Sequence, residues 1–90
     1  MNDHLSAAAR RDVTYGIHPY TNLARHAEDG PSIMTHGHGI TVTDAEGNDY
    51  IEAMAGLWCT SLGFGEEELV EAALKQMRAL PAYHVFNGRS

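Results

Sequence analysis

The chain is poor in the residues that would tie it to several large classes of protein. It has one cysteine in 90 residues. No disulfide framework can hold it, and a reducing compartment, the cytoplasm, fits. Cations are scarce too: six Lys and Arg stand against twelve Asp and Glu, for a formal net charge of −6 and a pI near 5.3. That balance speaks against nucleic acid and against an anionic membrane surface, both of which select a basic face. No apolar run approaches the roughly 20 residues needed to cross a bilayer. Residues 1–12 carry Asp3, His4, Arg10 and Arg11 and lack the apolar centre of a secretory signal. There is no repeat, and no low-complexity tract beyond Ala7, Ala8 and Ala9. A chain of this length makes one small domain at most and buries only about 60–65% of its unfolded surface.

What is present centres on residues 54–65, which hold the only Trp, the only Cys and Gly56, Gly63 and Gly65. Leu57, Trp58 and Cys59 are consecutive and bulky, so strand alternation fails, and three glycines argue against a helix. An apolar, glycine-punctuated loop is expected, and its grease is expected to be buried. Loops normally run over the surface because their backbone polar groups need partners. This one is therefore an interface, the wall of a pocket, or an irregular piece of core.

The remaining pattern is α+β. Residues 1–14 are polar and read as a mobile or partner-dependent arm, with a short helix able to start after Asp3 or Ser6. Pro19 pushes His18 toward an extended conformation, so His18, Pro19 and Tyr20 belong to an ordered crossing segment or a surface turn. One or two helical turns are expected over 23–29, ended by Gly30 and Pro31. A short strand is expected at 32–36 and a turn at 37–39. Residues 40–44 and 49–54 alternate around Glu46, Gly47 and Asn48 and predict a β-hairpin. With 32–36 it makes a small antiparallel β-meander. The recurrence of Leu69, Ala73, Met77 and Leu80 predicts one amphipathic helix over 66–80, with Glu66, Glu67 and Glu68 at its positive end and Lys75 and Arg78 near its negative end. Residues 82–86 read as extended and apolar. Such a set is incomplete as a domain: Trp58, Phe64, Tyr83, Val85 and Phe86 outnumber the surfaces available to cover them, as expected of a piece of a larger protein or of a chain that adds onto another.

Isolated chemical signals are weak. His36 and His38 would share a strand face, but Gly37 and Gly39 favour a turn and no third ligand is placed. Cys59 has no motif-placed base and reads as a small apolar residue. Gly63, Phe64 and Gly65 before a helix lack the rest of any phosphate-binding pattern, and three glutamates follow. Asp44, Glu46, Asp49 and Glu52 are the ordinary dressing of a hairpin.

Taken in order, His18-Pro19-Tyr20, residues 39–48, Met54-Ala55-Gly56-Leu57-Trp58-Cys59, Gly63-Phe64-Gly65 and Leu80-Pro81-Ala82-Tyr83 resemble the N-terminus of class III aminotransferases, in the omega-transaminase branch. The resemblance covers residues 15–90. It implies the N-terminal segment of a fold type I, pyridoxal 5'-phosphate-dependent enzyme that works as a homodimer on a primary amine or ω-amino acid and a 2-oxo acid of the pyruvate type. It implies that Tyr20, Leu57, Trp58 and Phe86 line a substrate pocket at the dimer interface. The rest of the aminotransferase chain, or a second subunit, would be its partner. Transamination needs a lysine to hold the cofactor. The only lysine is Lys75, in the expected helix, so the resemblance also implies that these 90 residues alone are inactive. A non-catalytic module that docks on a full-length transaminase is the alternative expectation.

Overall fold

Short polar side chains start the first two helices. Ser6 accepts the Ala9 N–H at 3.2 Å and begins α1 (Ala7–Tyr15), while Asn22 accepts the Arg25 N–H at 3.2 Å and begins α2 (Leu23–Asp29). Gly30 ends α2 with φ +73, and its N–H returns to the His26 carbonyl. The chain is described by a computed structural model over residues 3–90. The first two residues of the arm expected over 1–14 lie outside it. The helix expected to start after Asp3 or Ser6 is α1, which begins after Ser6 and runs through Tyr15, one residue past the expected boundary.

Three strands follow, β1 (Met34–His38), β2 (Thr41–Asp44) and β3 (Asp49–Ile51), paired in the order β1-β2-β3. The two-residue link at 39–40 and the short turn at 45–48 can join only antiparallel neighbours. The hairpin expectation holds, with shorter arms. The first strand sits two residues later than the spacing suggests, and Gly37 and His38 belong to it rather than to a turn. Gly37 is in the strand because Phe64 covers it: a Cβ there would lie 2.9 Å from the Phe64 ring. A single helical turn, α3 (Ala55–Trp58), and the long helix α4 (Glu67–Ala79) complete the α+β set, with a 3₁₀ turn at Phe86–Gly88 that begins on the last residue of the stretch expected to be extended.

The residues divide into two compact units. The first runs to His36 and includes Val42–Tyr50; the second comprises Gly37–Thr41 and Ile51–Ser90. In the first, Leu5 and Ala9 are buried, with Leu5 packed against Gly30. In the second, the apolar stripe of α4 is exposed at Leu69, Val70 and Met77. No helix among the described residues is long and apolar enough to cross a membrane.

The hairpin is organised by Asp44, which is only 4% exposed. One carboxylate oxygen accepts the Glu46 and Asn48 N–H groups at 3.0 and 2.8 Å; the other accepts Asn48 Nδ2 and the Tyr50 hydroxyl at 3.0 and 2.8 Å. The Asn48 side-chain bond, with the backbone and Tyr50 bonds, outweighs burial and holds the Asp44 carboxyl at about 2, below the ordinary 3.8. The same carboxylate raises the Tyr50 phenol. A depressed folded-state pKa stabilises above the unfolded value and ceases to do so as pH falls through the folded one. Acid titration followed by amide NMR should therefore show Asp44-linked stability intact above pH 3.8 and lost as pH falls toward about 2. Asp44→Asn should flatten that dependence and destabilise the hairpin at neutral pH.

Candidate functional site

Backbone strain falls on several of the residues expected to line a pocket. Among the described residues, five non-glycine residues have positive φ: Tyr20 at 51°, Ala55 at 51°, Leu57 at 62°, Trp58 at 67° and Asn87 at 57°. A side chain in this region costs roughly 1–2 kcal/mol, and such residues gather where function holds them. Tyr20, Leu57 and Trp58 are three of the four expected pocket residues, and Asn87 follows the fourth, Phe86.

α3 carries the densest strain. Gly56 shares the positive φ of its neighbours, at 59°, so four successive residues form a left-handed turn. The turn closes with backbone bonds of its own, Trp58 N–H to the Met54 carbonyl and Cys59 N–H to the Ala55 carbonyl, both at 2.8 Å. A helix was not expected over these glycines, and the chain forms a short turn of the left hand instead. The expected burial of the loop does not hold within this chain: Leu57 is 62% exposed and Trp58 83%. Both side chains of this left-handed turn are left uncovered by the rest of the second unit.

The loop after α3 returns to the sheet. Gly39 and Phe64 exchange N–H to carbonyl bonds of 2.9 and 2.8 Å in an antiparallel bridge. Gly63 permits that approach, since a Cβ would lie 2.9 Å from the Gly39 oxygen. Between this loop and residues 51–53 lies a concavity of about 450 Å³, lined by Ile40, Ile51, Glu52, Ala55, Thr60 and Leu62 among others. Its size suits a small ligand. The Thr60 hydroxyl is buried there without a hydrogen-bond partner, beneath Gly56. None of Leu57, Trp58 and Phe86 lines this concavity. Phe86 is 72% exposed. Its N–H donates to His84 Nδ1 at 3.3 Å, and the two rings lie 5.4 Å apart, with the Tyr83 ring stacked on His84 at 4.4 Å.

Tyr20 belongs to the first unit, fully exposed. Its segment is held by a cluster that spacing alone could not reveal. Asp12 at the end of α1 accepts from His18 Nε2 at 2.8 Å and His26 Nε2 at 3.0 Å. The two imidazoles lie 4.4 Å apart. Partial burial raises the Asp12 carboxyl, but the bonds from His18 and His26 outweigh it and leave it below the ordinary range. The three ligand atoms lie within 4.8 Å of one another, a spacing a divalent ion can bridge. Their mutual hydrogen bonds already account for the arrangement. Its evident effect is to fix His18, and so the Pro19 and Tyr20 that follow. His36 and His38, the pair singled out from spacing, are not part of it. Cys59 is exposed rather than buried, and its thiol donates to the Leu57 carbonyl at 3.3 Å.

No family model matches the chain. The putrescine–pyruvate aminotransferase of Pseudomonas aeruginosa is 41% identical over 91 residues, spanning 96% of this chain and 20% of that protein. The crystal structure of the omega transaminase from Pseudomonas jessenii in complex with PMP matches with a TM-score of 0.85 at 48% identity, over 94% of this chain and 19% of that one. A thermostable omega transaminase variant, W58G, engineered for asymmetric synthesis of enantiopure bulky amines, matches with a TM-score of 0.85 at 49% identity, over 93% of this chain and 19% of that one. The chain thus spans about a fifth of the length of these relatives.

Gly63→Ala tests the framing of α3. It forces a Cβ to 2.9 Å from the Gly39 oxygen at a φ of 96°, and should cost at least about 1–2 kcal/mol. Thermal unfolding should show the loss, and the Gly39 and Phe64 amides should exchange faster with solvent.

Proposed function

We infer that this chain, which belongs to the class III pyridoxal-phosphate-dependent aminotransferases as their N-terminal segment, supplies substrate-pocket walls and part of the dimer interface to an amine:2-oxo acid transaminase. The observation that carries this reading is the coincidence of left-handed, exposed aromatic and aliphatic residues with the positions the resemblance assigns to the pocket. Trp58 and Leu57 are held outward at an energetic cost that local packing does not repay, which is reasonable if a substrate or a second subunit covers them. The relatives support the substrate class: one is named for putrescine and pyruvate, and one is a variant at a tryptophan that carries the same number as Trp58 and was made for bulky amines. Tyr20 and Phe86 complete the proposed set of wall residues. Each offers an apolar face for the carbon skeleton of an amine, at about 25 cal/mol per Å² removed from water.

Pyridoxal phosphate is the family's cofactor, and when bound it supplies the electron sink for moving an amino group. The residues of this chain do not fit it. Among the described residues the one lysine, Lys75, is exposed on α4, and the first turn of that helix carries Glu67 and Glu68, which repel a phosphate. The role of these residues is to bind and orient the amine and keto acid. The cytoplasm is the proposed compartment, in keeping with a single exposed thiol at Cys59.

The test joins this chain to the Pseudomonas jessenii enzyme lacking the matching segment. Co-expression should restore conversion of pyruvate to alanine with an amine donor. Trp58→Gly in this chain should then raise the preference for bulkier amines by roughly tenfold or more. Failure of the two pieces to associate, or restored activity indifferent to Trp58, would overturn the assignment.

A further inference from the structure

We propose that Glu52 is the positioning residue that sets the pose of Leu57 and Trp58, and through them the amine preference; the second half of that statement rests on the pocket reading above. Glu52 sits one residue beyond β3, and its own N–H donates to the Ile40 carbonyl at 2.8 Å. The end of the hairpin therefore anchors its backbone. Its side chain turns toward the residues that follow. Oε1 accepts the Met54 N–H at 2.9 Å, and Oε2 accepts the Gly56 N–H. These two donors flank the entry to the left-handed turn, where a helical turn of either hand leaves its first N–H groups without backbone partners. One carboxylate takes both.

The chemistry is specific to a glutamate. An ionised carboxylate has two acceptor oxygens and no donor, so each oxygen can meet one N–H. A glutamine keeps one acceptor and sets an NH₂ group against the second N–H. An aspartate is one methylene shorter. By holding both N–H groups, Glu52 keeps Ala55 and Gly56 at positive φ, and the hand of the turn carries Leu57 and Trp58 to the outward side. Released from Glu52, Ala55 returns to the negative φ that its Cβ favours, and both following side chains lose their direction. Spacing did not single out this role, because Glu52 reads as an exposed hairpin residue until the turn beside it is seen to be left-handed.

Trp58 is the only tryptophan, so its near-ultraviolet circular dichroism reports on the turn directly in the full chain. In Glu52→Gln and Glu52→Ala, that signal should weaken, and the Trp58 and Cys59 amides should exchange about fivefold faster or more. The Ala45 and Asn48 amides of the hairpin should keep their rates. Adding Ala55→Gly to Glu52→Gln should restore the Trp58 signal, since glycine accepts positive φ without a carboxylate to enforce it. A general structural role would slow no exchange on that second change. Unchanged Trp58 and Cys59 exchange in Glu52→Ala, or no rescue by Ala55→Gly, overturns the proposal. In the reconstituted enzyme, a disturbed Trp58 signal with unaltered amine preference would instead leave the positioning role standing and refute the pocket reading.

Discussion

Apolar burial is scarce in this chain: among the described residues only Leu5 and Ala9 are buried apolar side chains. Local geometry must therefore be held by directed polar interactions, and three carboxylates do most of it. Asp12 gathers two imidazoles, Asp44 gathers two backbone N–H groups, an amide and a phenol, and Glu52 gathers two backbone N–H groups. A surplus of acids over bases leaves many carboxylates without cations. Asp44 and Glu52 serve as acceptors for backbone, amide and hydroxyl donors, and Asp12 for two imidazoles. By contrast Arg25 and Asp29 form an exposed i,i+4 pair of the kind that contributes little.

Each of the three nodes steadies a different segment of the chain. Asp12 secures His18, and so the segment bearing Tyr20. Asp44 closes the hairpin turn, whose strands deliver Glu52. Glu52 grips the turn that bears Leu57 and Trp58. The fourth expected wall residue, Phe86, is held differently, by His84 at its N–H and ring. Strain and support are thus paired along the chain: where φ is positive at a bulky residue, a nearby polar group restrains the backbone.

Regular elements were legible because they follow from periodicity and turn chemistry. The hairpin about Glu46, Gly47 and Asn48 and the helix bearing Leu69, Ala73 and Met77 both lie where alternation and helical spacing put them. The first strand was misread by two residues because Gly37 looks like a turn former, and only the Phe64 ring above it explains a glycine in a strand. The handedness of α3 was illegible: glycine content argues against a helix, but nothing local tells Ala55, Leu57 and Trp58 to adopt positive φ. The Asp12, His18 and His26 cluster was hidden for the opposite reason, since it is assembled by two helices and the segment between them. The identities of the expected wall residues came from a resemblance to whole motifs, and no periodicity would have yielded them.

The left-handed turn shows why a carboxylate had to stand beside it. Its three non-glycine residues cost roughly 1–2 kcal/mol each. The backbone bonds closing the turn, from Trp58, Cys59 and Thr60, contribute about 0.5–1.5 kcal/mol each in net terms. The bonds match the strain only in the upper half of their range, and exposed bonds fall toward the lower figure. Apolar packing does not make up the difference, because Leu57 and Trp58 face outward. What remains nearby is the pair of charge-assisted bonds to Glu52, stronger than neutral ones and placed on the two donors at the turn's entry. A turn held so narrowly is also one that a ligand or a subunit can bias. Any surface that covers Trp58 adds favourable burial to the strained hand alone, so occupancy and handedness must be thermodynamically linked.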